Sequence, residues 1–79
     1  MLFERNVEEP AQVVDLCREL ASLADPHAPA LLAVDQEGGR DTRLRFTDWP
    51  SMRLLARSPE LVEDVSRAMA EELAALGLH

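Results

Sequence analysis

Lysine is absent from this chain of 79 residues, and all eight of its basic side chains are arginine. Fifteen acidic residues outnumber them and give a formal net charge of −7. Because the arginines are scattered and form no basic stripe, the sequence excludes a nucleic-acid partner, which would need clustered positive charge. The missing lysine and the abundant alanine together predict a GC-rich bacterial coding bias.

Long apolar runs and pairs of cysteines are also missing. No stretch is long enough to cross a bilayer, and the amino terminus lacks the layout of a signal peptide, so we expect a cytoplasmic protein with no membrane partner. Cys17 is the only cysteine, which excludes an internal disulfide. We expect it to be a small buried apolar side chain, because no histidine is placed by sequence to act as its base.

Two helices are predicted from periodicity and from their end signals. The first covers 10–24, with Pro10 in its first turn and Asp25 before a proline at its end. The second begins after Ser58 as N-cap and ends at Gly77. The predicted buried face of the first helix is Val13, Leu16, Cys17, Leu20 and Leu23. That of the second is Leu61, Val65, Ala68, Met69, Leu73 and Leu76.

The remaining apolar segments predict strands. Residues 29–34 are short and almost uniformly apolar, as in a parallel strand covered on both faces, and residues 1–3 have the character of a strand end. The order of elements predicts an α/β fold with a βαβα arrangement. Two such units cannot close a sheet, so we expect 1–79 to be a piece of a larger α/β domain, incomplete at both ends, with an open apolar edge. Residues 40–58 show no period, and we expect a loop anchored by Phe46, Trp49, Pro50 and Met52.

The segment 33–40, Ala-Val-Asp-Gln-Glu-Gly-Gly-Arg, is the candidate functional site. Charged side chains at the carboxyl end of a buried parallel strand are where α/β enzymes keep their binding groups. A solvated charged turn is the simpler interpretation of Asp35 and Glu37. A nucleophile and acid pair is not favoured for these two residues, because residues two apart on a chain leaving a strand need not face each other and nothing in the spacing fixes their separation.

Other uses of this segment fit less well. A metal site formed by Asp35, Glu37 and Asp41 lacks the glycine and closing glutamate positions of a calcium loop, so we expect no metal. The glycine pair is not followed by a helix and is not a phosphate cradle. Trp49 either stacks on a ligand ring or, more simply, anchors the loop by packing.

The ordered set of motifs resembles glycoside hydrolase family 3, in particular its bacterial β-N-acetylhexosaminidases. The resemblance rests on Leu-Phe-x-Arg-Asn at 2–6, Pro-x-Gln at 10–12, the run 33–44, Phe-Thr-x-x-Pro-Ser-Met at 46–52 and Glu-Leu-x-x-Leu-Gly at 72–77. It covers nearly the whole chain, and the Asp-Gln-Glu-Gly-Gly-Arg motif makes it specific.

The resemblance implies a fold, an activity and a substrate. The implied fold is part of a (β/α)8 TIM-type barrel. The implied activity is a retaining two-step hydrolysis without a cofactor, which releases terminal β-linked N-acetylglucosamine from peptidoglycan fragments. The family's nucleophilic aspartate and catalytic histidine would follow the last helix, and neither His27 nor His79 matches that histidine. We therefore expect no catalytic residue in 1–79 and no activity of the chain alone.

The resemblance implies sugar binding for two residues. Asp35 matches an aspartate that accepts hydrogen bonds from sugar hydroxyls, and Arg43 matches an arginine that reaches the sugar or steadies that carboxylate. Arg40, Glu37 and the glycines are expected to shape the loop. The sequence departs from the family at Asp41, where valine is usual, and at Trp49, where leucine is usual.

A second hypothesis comes from a different class. The chain could be a non-catalytic module that associates with itself or with a partner through its open sheet edge, with the apolar helix faces as the interface. A defined oligomer with a sharp melting transition would favour this module over a piece of an enzyme.

Overall fold

The computed structural model describes residues 1–79 and contains three α-helices. They are α1 (Pro10–Ser22), α2 (Met52–Leu55) and α3 (Val62–Leu76). Two short 3-10 helices, Glu4–Asn6 and Pro59–Leu61, precede α1 and α3. No helix combines the length and the apolar character needed to cross a membrane.

Helix α1 confirms the first predicted helix, although it ends two residues earlier. Pro10 occupies the first turn, and Val13 and Cys17 are buried against the rest of the chain. Leu23 was predicted to be buried, but it is 79% exposed. Leu23 is the C-cap residue and keeps helical backbone angles, but the core contacts of α1 end at Leu20, so nothing covers its side chain.

The second predicted helix is also confirmed, with a 3-10 turn at its start. Ser58 precedes this turn, but its side chain caps no backbone amide, contrary to the prediction. Met69 and Leu76 form the buried part of α3, whereas Leu61 and Ala68 are exposed. The helix ends at Gly77, whose φ of +96° is rarely adopted by residues with a side chain.

The predicted βαβα arrangement is wrong, and with it the partial (β/α)8 TIM-type barrel, because the structure contains no sheet. Leu2 and Val34 form one isolated parallel bridge, and the Leu2 amide donates to the Ala33 carbonyl at 2.8 Å. The chain turns into a 3-10 helix at Glu4, so no second bridge follows the first. A strand needs a continuing ladder of partners, which this pairing does not provide. The open sheet edge of the second hypothesis is therefore absent.

The segment around Leu32 is held by the last residue of the chain instead. The backbone amide of His79 donates to the Leu32 carbonyl at 2.8 Å. The Leu32 amide in turn donates to Nδ1 of His79 at 3.1 Å. The two backbone groups of Leu32 are thus satisfied without a strand.

The core joins α1, the end of α3 and the middle segment. Its seven buried residues are Leu2, Val13, Cys17, Leu32, Leu44, Leu76 and Leu78. The segment 40–58, expected to be a loop throughout, contains α2 at its end. It enters the core through Leu44, which is completely buried, and Leu55 is buried in α2. Of the anchors predicted for the loop, Phe46, Trp49 and Pro50 are half-buried, and Met52 is 48% exposed. Leu44 fixes the middle of the loop directly beside Arg43.

Candidate functional site

A tight turn brings the two ends of the 36–44 segment together. Gln36 and Thr42 form an isolated antiparallel bridge, and the Glu37 amide donates to the Asp41 carbonyl at 2.8 Å. This pairing returns the chain so that Arg43 lies beside the segment that carries Asp35. The sequence motif is therefore a closed turn and not an extended loop.

The glycine pair allows this turn to approach the segment before α2. Gly38 has a φ of +79°, and a Cβ atom built on it would collide with the Pro50 carbonyl oxygen. The neighbouring Gly39 amide donates to the Trp49 carbonyl at 3.2 Å. The predicted role of the glycines in shaping the loop is consistent with these contacts.

Asp35 and Arg43, the two residues predicted to bind sugar, are brought together. Nη2 of Arg43 lies 3.8 Å from Oδ2 of Asp35, and their side chains are 27% and 47% exposed respectively. At this separation the two side chains form an ion pair, but the distance is too long for a hydrogen bond. Neither the carboxylate nor the guanidinium is used in a hydrogen bond within the chain, so both keep their acceptors and donors for a ligand.

The Gln36 side chain links the two halves of the turn. Its Oε1 accepts hydrogen bonds from the amides of Arg43 at 3.2 Å and Leu44 at 3.1 Å. Its Nε2 donates to the Leu44 carbonyl at 2.7 Å. Gln36 could not be singled out from the sequence, because an amide between two carboxylates carries no signal of its own. Its position, two residues before the glycine pair, is the one feature that could have indicated a turn-closing role.

A second arginine covers the outer side of the turn. Arg45 donates to the carbonyls of Gly39 at 3.4 Å and Arg40 at 3.3 Å, and its Nε lies 3.5 Å from Oε1 of Glu4. It borders a cleft of about 180 Å³. The residues that line the cleft are Gly39, Thr42, Arg45, Thr47, Asp48 and Trp49. Trp49 is half-buried in this lining.

The other candidate residues do not join Asp35. The exposed side chain of Glu37 makes no hydrogen bond or ion pair, and His79 is bonded to Leu32. His27 lies in the exposed turn after α1, where its amide donates to Asp25 at 2.8 Å. No three histidine, cysteine, aspartate or glutamate side chains are grouped to hold a metal ion. None of the side chains of Glu37, His27 and His79 makes a hydrogen bond or ion pair with Asp35.

Cys17 is buried in the core, as predicted. Its side chain is 3% exposed, and desolvation by burial raises the pKa of its thiol. Its Cβ would lie 3.0 Å from a Cβ built on Gly77, so α1 and the end of α3 meet closely at this point. A protonated, enclosed thiol is a packing group and not a nucleophile.

Comparison with known families defines the class of protein. The family model described as "Glycosyl hydrolase family 3 N terminal domain" matches residues 1–79. The chain therefore belongs to glycoside hydrolase family 3, which confirms the resemblance drawn from its motifs.

Several similar curated proteins are bacterial and share a name. A "Beta-hexosaminidase" of Pseudomonas aeruginosa (strain LESB58) is 46% identical over 83 residues, which cover 99% of this chain and 24% of the relative. That of Nitrosomonas eutropha is 44% identical over 81 residues, or 95% of this chain and 23% of the relative. That of Thiobacillus denitrificans is 41% identical over 88 residues, or 99% and 24%. The chain thus spans about a quarter of the length of these relatives. Comparison with solved structures gave no match.

Proposed function

We propose that this chain forms the sugar-binding part of a glycoside hydrolase that releases terminal β-linked N-acetylglucosamine. Membership of the family and the name of its relatives support the general activity. The observation that carries the proposal for Asp35 and Arg43 is their pairing at 3.8 Å with hydrogen-bonding capacity to spare. The substrates we propose are peptidoglycan fragments that carry this sugar, in the cytoplasm.

The chemistry of the pair suits a sugar. A carboxylate accepts hydrogen bonds from two adjacent hydroxyls at once, and its charge strengthens each bond. The guanidinium of Arg43 offers several donors to the same ligand and compensates the charge of Asp35 as water leaves. The partial exposure of both side chains leaves room for the ligand to approach.

We further propose that Asp35 binds the sugar and does not cleave it. Retaining hydrolysis needs a nucleophile and a separate acid/base group about 5 Å apart for a carboxyl pair. Asp35 is paired with a cation, and His79 is engaged with Leu32. In a relative four times as long, other residues are available for both catalytic roles. The 79 residues alone are expected to give no turnover.

A titration with methyl β-N-acetylglucosaminide, followed by the amide NMR signals of the chain, tests the binding role. The signals of residues 35–37 and 43–44 are expected to shift, and Asp35→Asn is expected to weaken binding by about tenfold or more, the effect of losing a hydrogen bond to a charged group. Glu63→Gln is the matched control, because it removes one carboxylate from an ion pair with Arg67 on the exposed face of α3.

Two results would contradict the proposal. One is unchanged affinity in Asp35→Asn, or equal weakening in Glu63→Gln. The other is hydrolysis of a chromogenic N-acetylglucosaminide by the chain when that hydrolysis is lost in Asp35→Ala, because Asp35 would then take part in the reaction.

Self-association is a second candidate function, favoured by one observation. Leu23 and Leu31 are 79% and 81% exposed, and contact with another surface would bury their apolar area. With no sheet edge, such an interface would consist of side chains alone. Light scattering during size-exclusion chromatography is expected to give a defined oligomer that dissociates in Leu31→Glu, and a monomer at all concentrations would refute this role.

A further inference from the structure

One side chain connects the two residues of the proposed sugar site. Gln36 follows Asp35 directly in the chain and makes three hydrogen bonds to Arg43 and Leu44 across the turn. Asp35 and Arg43 themselves are separated by 3.8 Å and make no hydrogen bond to each other. The weak ion pair is not sufficient to hold a flexible arginine in one place. The backbone under that arginine must therefore be held by other contacts.

We propose that Gln36 is a positioning residue that holds Arg43 in register with Asp35 for sugar binding. This inference rests on the proposed function of those two residues. Oε1 of Gln36 accepts hydrogen bonds from the amides of both Arg43 and Leu44, and Nε2 donates a hydrogen bond to the carbonyl of Leu44. The primary amide of glutamine carries an acceptor and a donor on one planar group, so it can use both at the same time.

These three hydrogen bonds, called the Gln36 clamp below, act on a residue that is already anchored in the core, Leu44. The side chain of Leu44 is completely buried, so it fixes the depth of the turn. The hydrogen bonds of Gln36 then fix the rotation of the backbone on either side of Leu44. Together they hold the backbone of Arg43 on the side of the turn that faces Asp35. Such preorganisation reduces the loss of conformational entropy when a ligand binds.

Gln36→Met is the variant that removes the clamp, because methionine has a similar length and none of the three hydrogen bonds. The chain offers a matched control in Gln12, whose side chain accepts from the Glu8 amide at 2.9 Å and donates to the Asn6 carbonyl at 2.9 Å. Gln12→Met removes a similar glutamine clamp, outside the proposed site. Both variants are measured at a temperature well below their unfolding midpoints.

Hydrogen exchange of the amides of residues 43 and 44 gives the first readout, and it does not depend on sugar binding. In Gln36→Met their exchange is expected to be about tenfold faster or more, whereas in Gln12→Met it is unchanged. Gln36→Glu keeps the acceptor and loses the donor, so it is expected to restore part of the protection. Full protection in Gln36→Met would overturn the proposal whether or not the chain binds sugar.

Titration with methyl β-N-acetylglucosaminide gives the second readout. Gln36→Met is expected to weaken binding by about tenfold, with Gln36→Glu between it and the original chain. Equal affinities of Gln36→Met and Gln12→Met would mean that the role of Gln36 is only structural, and would overturn the proposal. If the original chain bound no sugar, the proposed function would fail, and the exchange readout alone would decide whether Gln36 holds Arg43.

Discussion

Replacement of Gly38 by alanine is the perturbation that tests the geometry of the turn most severely. Gly38 has a φ of +79°, and the Pro50 carbonyl occupies the space where a Cβ atom of residue 38 would lie. Gly38→Ala therefore adds backbone strain and a collision with a backbone atom, which cannot move by a rotamer change. The turn or the segment at 49–50 must shift, and the hydrogen bond from the Gly39 amide to Trp49 is expected to be lost.

The magnitude follows from these two effects. A left-handed conformation costs a residue with a side chain about 1–2 kcal/mol, and an overpacked contact costs about 1–3 kcal/mol. Gly38→Ala is thus expected to lower the free energy of unfolding by about 2–5 kcal/mol. A chain of 79 residues has a total stability of about 4–12 kcal/mol, so the loss is a large part of it.

Urea unfolding followed by circular dichroism measures this change, with Glu37→Ala as the neighbouring control. Glu37 is exposed and its side chain has no partner, so its variant is expected to stay within about 0.5 kcal/mol of the original chain. A Gly38→Ala variant as stable as Glu37→Ala would refute the close contact between the turn and Pro50.

Three further predictions follow from the core, the thiol and a helix cap. In urea unfolding, Leu44→Ala is expected to cost about 2–5 kcal/mol, and the exposed Leu31→Ala about 0.5 kcal/mol or less; equal costs would contradict the core assignment. Burial raises the pKa of the Cys17 thiol, so the unfolded chain ionises at lower pH than the folded chain and stability falls as pH rises above the ordinary thiol pKa; unfolding at several pH values is expected to show this fall reduced in Cys17→Ala, and an identical fall would contradict it. Ser51 accepts a hydrogen bond from the Leu54 amide at 3.2 Å, so Ser51→Ala is expected to cost about 0.5–2 kcal/mol and to speed exchange of that amide, whereas unchanged exchange would argue against the cap.

The two long helices could be predicted from the sequence because their signals are local. Proline in the first turn of α1 and glycine at the end of α3 act on the residues beside them, and the apolar period needs no distant partner. The buried faces were predicted less well: Leu23 follows the last residue of α1 and is exposed, and Ala68 is exposed within α3. Periodicity alone does not fix the final residue of a helix.

The sheet was wrongly predicted because a strand depends on partners far along the chain. Residues 29–34 have the composition of a buried strand, yet their backbone groups pair with Leu2 at one point and with His79 at another. Apolar composition indicates burial but does not supply a ladder of hydrogen bonds. The segment is therefore partly buried without being a strand.

The proposed site was predicted in part. The motif pointed to Asp35 and Arg43, and the structure brings their side chains to 3.8 Å. Leu44 and Gln36, which fix this arrangement, were not predicted. Leu44 stands between two arginines in a stretch without a period, and the role of Gln36 depends on a turn that only the folded chain reveals.

The most direct test of the central claim is a double-mutant cycle on Asp35 and Arg43, measured as the affinity for methyl β-N-acetylglucosaminide. If the two side chains hold one sugar together, Asp35→Asn and Arg43→Gln each weaken binding by about tenfold, and the double variant binds more tightly than the product of the two effects would give. Independent, fully multiplicative effects, or single variants that bind as well as the original chain, would contradict the account.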